Sequence, residues 1–265
     1  MTTAHADRLP LLVQAPDAAS GPPGPHKAAG VRVVATGLVK RYGPHTALAV
    51  DHLEVAPGEC VGLVGNNGAG KTTLLRLALD LIRPSEGAVA LDGEAVEGRS
   101  GWKARVGAFL DPEFLIDYLR PDEFFRLVGG AYGLSADEAD RRAATYADFL
   151  GPAARDGSLL RELSTGNANK VGIVGAFLPH PGLVVLDEPF ANLDPGARIQ
   201  LEALLARERH ERGATVLVSS HDLDHVVDVC SRVLVLADGR IVRDTPSTSA
   251  TLGELRAFFA AGGRD

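Results

Sequence analysis

The chain has 265 residues, 45% of them hydrophobic and 23% charged, with a formal net charge of −7. That composition suits one large or two small globular domains, and it argues against a nucleic-acid groove, which needs a basic stripe. No apolar run approaches the roughly 18 residues of a bilayer span, so any membrane role is expected to come through a partner.

Residues 1–30 hold five of the 16 prolines and no apolar stretch behind a basic start. They are expected to be a flexible tail rather than a secretory signal. Val31–Thr36, Ala47–Val55 and Ala88–Leu91 read as strands divided by turn residues, an antiparallel sheet. Cys60–Val64 is an apolar strand candidate, and Leu74–Ile82 is a helix candidate, apolar almost all round. Residues 112–160 carry few β-branched side chains and read as a helical insertion. Within it, Ser135-Ala-Asp-Glu138 has capping-box spacing, and its helix is expected to stop near Gly151-Pro152. Val171–Leu178 is an apolar helix. Leu183–Leu186 and Val216–Val218 join Val61–Val64 as buried parallel strands, each followed by a helical candidate. The run Arg207–Arg212 reads as a solvated helix face. Thr251-Leu-Gly-Glu254 reads as a capping box opening a last short helix. The fold class is therefore α/β: a parallel sheet covered by helices, with an antiparallel subdomain and an inserted helical subdomain. Cys60 and Cys230 are expected as buried small apolar residues in a reducing cytoplasm.

The most informative stretch is Gly65-Asn-Asn-Gly-Ala-Gly-Lys-Thr-Thr73. Gly65, Gly70, Lys71 and Thr72 satisfy the phosphate-loop spacing. Glycines such as Gly65, Gly68 and Gly70 let successive N–H groups, with those of Asn66, Asn67 and Ala69, converge on one anion. The helix that follows aims its positive end at the same place. Lys71 can reach the β- and γ-phosphates, and the Thr72 hydroxyl can ligate Mg²⁺, with Thr73 beside it. A chance glycine-rich turn is the competing reading; a strand before it and a helix after it weigh against that. The implied ligand is ATP with Mg²⁺.

Leu183–Leu186 ends in two carboxylates, Asp187 and Glu188. A buried strand that delivers Asp187 to a phosphate site can hold Mg²⁺, and Glu188 can polarise the attacking water. His221 closes the strand Thr215–Ser220. In open α/β sheets ligands sit at the carboxyl ends of strands, which is where these residues fall.

Phosphate loop, then Leu163-Ser164-Thr165-Gly166-Asn167, then Asp187-Glu188, then His221, in that order, resembles the ATP-binding cassette (ABC) ATPases, P-loop NTPases with a RecA-like core. The likeness runs over about residues 31–242. It implies an ATPase domain at 31–265 with its helical subdomain at about 112–178. It also implies that two cassettes pack head to tail, so that Ser164, Thr165, Gly166 and Asn167 face ATP held by the partner's phosphate loop. Tyr42 matches the aromatic that stacks on adenine, Asp194 the loop linking the two sites, and Asp111 a Mg²⁺-sensing position. The chain departs from the usual pattern at Thr165 and Asn167, where Gly and Gln are common, and at Asp111, where Gln is common. The resemblance implies the ATPase subunit of a membrane transporter, nearest to bacterial drug- or lipid-type exporters. Its partners would be a second cassette and separately encoded permease subunits, with the chain cytoplasmic on the inner face of the cell membrane. A regulatory nucleotide-binding module and a soluble ABC protein of DNA repair or translation are the alternatives. Phe109, Phe114, Tyr118, Phe124, Phe125 and Tyr132 crowd together, as a small core or as a groove for a helix of a membrane subunit.

Overall fold

A computed structural model describes residues 30–154 and 156–260. The expected tail, save Gly30, lies outside the described residues. In chain order the elements begin with β1 (Val33–Tyr42), β2 (His45–Val55), β3 (Cys60–Val64), α1 (Lys71–Ala78), β4 (Glu86–Leu91) and β5 (Glu94–Ala95). Next come β6 (Val106–Phe109), α2 (Pro121–Ala131), α3 (Ala136–Ala144), α4 (Ala147–Leu150) and α5 (Thr165–Phe177). The last part adds β7 (Leu183–Leu186), α6 (Pro195–His210), β8 (Thr215–Ser220) and α7 (Leu223–Val229). It ends with β9 (Arg232–Ala237), β10 (Arg240–Pro246) and α8 (Ser249–Ala260).

Two sheets result. One has four strands in the order β2-β1-β4-β5, all antiparallel. The other has six in the order β10-β9-β3-β8-β7-β6, parallel except for β10. The α/β class read from the sequence is the observed one. Strands β3, β7 and β8 are buried at every residue, the pattern of strands covered on both faces. Alternation along β7 divides the core. Val184 and Leu186 pack in the layer that includes Ile173, Phe177 and Leu201 of α5 and α6. Leu183 and Val185 belong to the layer shared with α1 and the antiparallel sheet.

Several boundaries differ from the expected ones. β1 runs on to Tyr42, because Gly43 at φ 57° turns the chain so that Tyr42 pairs with His45. β9, which is absent from the strands expected above, has the same apolar texture as the three buried strands and pairs in parallel with β3. α1 stops at Ala78, and Asp80 at φ 52° turns the rest of the apolar run out of the helix. The last helix starts at Ser249, not after Thr251. The reciprocal cap joins Thr248 and Thr251: each backbone N–H donates to the other's hydroxyl, at 3.1 and 3.3 Å.

The supposed solvated face of α6 is also corrected. Glu208 has no exposed surface; its Oε1 accepts from Arg212 Nη1 at 2.6 Å and from the Tyr146 hydroxyl at 3.3 Å. Burial pushes the Glu208 carboxyl up. Helix packing overrode the charge pattern here. Of the crowded aromatics, Phe109, Phe124 and Phe125 are core residues, whereas Phe114 and Tyr118 are 63% and 66% exposed. Tyr132 is partly buried and donates to the Val106 carbonyl. Cys60 and Cys230 are both buried and unoxidised, with sulfurs 3.5 Å apart.

Candidate nucleotide site

The loop Gly65–Gly70 joins β3 to α1 at the carboxyl edge of the parallel sheet. Its shape depends on glycine. Gly68 and Gly70 lie at φ 82° and 106°, where a side chain is strained, and a Cβ on Gly65 would stand 2.4 Å from the Leu236 carbonyl. Gly70 is the N-cap of α1, so the first-turn amides of Lys71, Thr72 and Thr73 have no acceptor within the helix. Asn66, Asn67 and Gly68 are exposed and Ala69 is buried. The Lys71 side chain is 6% exposed and folds back over the loop: Nζ donates to Gly65 O at 2.7 Å. The same Nζ is 3.3 Å from Glu188 Oε1. A cation held against backbone carbonyls and one carboxylate is poised for an anion.

Glu188 reaches this place because β7 lies two strands from β3, across β8. It adopts φ 48°, left-handed and unusual outside glycine. Two residues of β8 and its exit hold it. Its N–H donates to Ser219 Oγ at 2.9 Å, and its Oε2 accepts from the His221 N–H at 3.1 Å. The His221 ring nitrogen Nδ1 is 2.8 Å from the same oxygen. A carboxylate only accepts, so Nδ1 is the donor in this contact. Asp187 is buried, and one of its oxygens accepts from the Ser219 hydroxyl. Lys71, Asp187, Glu188 and His221 are therefore brought together.

The other expected site residues engage partners outside this group. Asp111 caps a short turn, its Oδ1 accepting from Glu113 N at 2.8 Å. Tyr42 is 54% exposed at the β1–β2 turn, with Lys40 Nζ 4.9 Å from its ring centre. Ser164 is the N-cap of α5, accepting from Asn167 N at 3.3 Å; Thr165 follows it, exposed. Gly166 packs on the loop after Glu188, where a Cβ would come within 2.4 Å of the Asn192 carbonyl. Asp194 caps α6 through Ala197 N at 2.9 Å, and that bond holds its carboxyl below the usual range. Lys170 Nζ lies 3.5 Å from its other oxygen. No hydrogen bond or ion pair joins these residues to the Lys71 group among the described residues.

Sequence reasoning missed two members. Ser219 was hidden inside an apolar strand, though a polar residue at a fully buried strand position is itself a signal. Lys170, which ties the middle of α5 to Asp194, carried no local signal.

A phosphate loop, a strand-end Asp-Glu pair and a histidine at the next strand end define a nucleoside-triphosphate-binding α/β protein. The comparisons with known proteins narrow this. Residues 48–191 match the family model described as ABC transporter, and the chain belongs to that family of ATPases. It is 34% identical over 213 residues to the Nod factor export ATP-binding protein I of Cupriavidus metallidurans, covering 77% of this chain and 68% of that protein. It is 32% identical over 241 residues to a phosphonates import ATP-binding protein of Roseobacter denitrificans, covering 85% and 88%. Two other curated relatives are spanned over only 54% and 62% of their length. Among solved structures, an ATP-binding subunit of an ABC transporter superposes with a TM-score of 0.74 at 30% identity, covering 88% of this chain and 95% of that one. A dimeric cassette in a post-hydrolysis state bound to ADP and Pi gives 0.73 at 25% identity, covering 82% and 99%.

Proposed function

We propose that this ATPase drives a membrane exporter as one of two cassettes, working on the cytoplasmic face through separately encoded permease subunits. The observation that carries the hydrolytic part is the convergence of Lys71, Glu188 and His221, with Lys71 Nζ 3.3 Å and His221 Nδ1 2.8 Å from the Glu188 carboxylate. The α1 amides and Lys71 bind the phosphates. Thr72 and Asp187 offer hard oxygen donors, which suit Mg²⁺; the ion would screen the phosphate charge. Asp111 is a further candidate for this task. Glu188 accepts a proton from the attacking water, and His221 holds that carboxylate in place. Displacing Lys71 from Glu188 by the incoming phosphate frees the carboxylate for this role.

Ser164, Thr165, Gly166 and Asn167 lie at the start of α5 and, among the described residues, make no hydrogen bond or ion pair with their own phosphate loop. That arrangement fits a site completed by a second copy, with Asp194 at the joint and Tyr42 on the adenine. The exposed Phe114 and Tyr118 suit contact with a permease helix. Export follows the Nod factor relative; import is the second reading, favoured by the phosphonates relative, which is matched over 88% of its length.

Replacing Glu188 by Gln tests the hydrolytic reading. Removing the base should lower kcat by about 10²–10⁴-fold while ATP still binds. Equal turnover by the two proteins would refute the assigned role. Direction is tested by reconstituting the chain with its permease in vesicles and following substrate flux.

A further inference from the structure

Among the described residues, Ser219 is the one whose side chain hydrogen-bonds at both Asp187 and Glu188, and nothing about β8 as a strand requires it. Val216, Leu217 and Val218 before it are apolar, buried Ser220 after it accepts from Asp222 N at 2.9 Å in the turn, and Ser219 itself has no exposed surface. A buried hydroxyl is costly unless its hydrogen-bonding capacity is used. Here both halves are used. The hydroxyl hydrogen goes to Asp187 Oδ1, and the oxygen accepts the Glu188 N–H at 2.9 Å. Parallel pairing explains the placement. Leu186 stands opposite Val218, so the next residue of β8 meets the first residues beyond β7.

We infer that Ser219 is a positioning residue for the hydrolytic site, setting the Asp187 carboxylate and the left-handed Glu188 backbone at once. The inference rests on the reading of Glu188 as the group that activates water. Through Glu188 it extends to His221, two residues further along the same chain, which grips the side chain of the glutamate whose backbone Ser219 grips. β8 thus holds Glu188 from two directions. Without the hydroxyl, Asp187 Oδ1 and the Glu188 N–H lose a buried partner, and Glu188 loses a restraint on its φ of 48°.

The test compares wild type with Ser219→Thr and Ser219→Val, which share a shape and differ in the hydroxyl. Ser219→Val should lower kcat on the order of 10²-fold, with KM for ATP within about threefold of wild type, because a small displacement of reacting groups acts on the chemical step. Ser219→Thr should keep kcat within about threefold. A second readout needs no turnover. In the Glu188→Gln background, Mg²⁺ is titrated against binding of a fluorescent ATP analogue. Ser219→Val should need about 10-fold more Mg²⁺ for half-saturation, the usual effect of losing a group that orients a metal ligand. Thermal melts accompany both, and if Ser219→Val does not fold, Ser219→Ala against Ser219→Cys replaces the pair. Equal kcat and equal Mg²⁺ demand in the Thr and Val proteins would overturn the role of Ser219. Wild type no faster than Glu188→Gln would instead overturn the reading on which it rests.

Discussion

His180 sits between α5 and β7 at φ 55°, in the left-handed region. Burial, and then the charges of Arg212 and Arg142, lower its pKa from 6.5 to about 4. The sign follows directly. Between these values the unfolded chain holds a proton that the folded chain refuses, so stability rises with pH and is lost as pH falls below about 6.5. Asn tolerates left-handed backbone, so His180→Asn is the clean variant. Urea midpoints at pH 7 and pH 5.5 should drop in wild type and drop less in His180→Asn; equal drops would refute the assignment. A second residue-level expectation concerns the thiols. The hydrogen bond from Cys60 and then burial push the Cys230 thiol well up, which makes it a poor nucleophile, and Cys60 beside it is shielded by burial. Alkylation followed by mass spectrometry should leave both unmodified in the folded protein and modify both in urea.

Packing between elements accounts for the residues whose appearance misleads. The end of α6 and the turn after it carry Arg207, Arg209 and Arg212 with Glu208 and Glu211, a composition typical of an exposed face. Yet Glu208 points inward, where Arg212 and Tyr146 satisfy Oε1. Tyr146 in turn stacks on Phe177, the last residue of α5, with ring centres 6.1 Å apart. The cluster therefore fastens the segment before α4 to both α5 and α6. Glu208→Ala would leave Arg212 facing this pocket without its partner. Because Arg212 keeps some solvent contact, the loss should fall at the low end of the range for broken buried pairs, about 3 kcal/mol by urea denaturation. A loss within 0.5 kcal/mol, as roughly expected of an exposed substitution, would show that the cluster is not structural. α5 is likewise shaped by its neighbours. Gly172 and Gly175 leave room for Phe109 and Phe124, whose rings would meet a Cβ at 2.2 and 2.8 Å. Helix propensity alone disfavours such glycines; close approach of two aromatics explains them.

For the whole molecule, the proposed head-to-tail pair makes a prediction that one cassette cannot meet. Lys71→Ala should abolish phosphate binding, and Ser164→Arg should block the surface offered to the partner. Each protein alone has two broken sites per pair. In a mixed pair both lesions fall in one site, leaving the other intact. Mixing the two inactive proteins should therefore restore ATPase activity. No recovery, with pairing demonstrated by size-exclusion chromatography in ATP and Mg²⁺, would argue against shared sites.

What the chain declares locally it declares clearly. The phosphate loop is contiguous, and its glycines and its helix start follow from φ preferences within nine residues. The strand that ends in Asp187 and Glu188 is legible for the same reason, as are β3 and β8 beside it, because buried strands are continuous apolar runs. The relations between these pieces were not legible. Ser219 and Asp187 are 32 positions apart, and Lys170 and Asp194 are separated by most of a βα unit. Their contacts exist only because parallel strands adopt one register and helices one packing. The burial of Glu208 against Tyr146, 62 positions away, was decided the same way. Residue spacing specifies backbone geometry over a few residues, whereas the partner of a buried polar group is chosen by whichever distant element arrives beside it. Nucleotide binding was written in the sequence; the hydrogen bonds that hold Glu188 in place came with the tertiary fold.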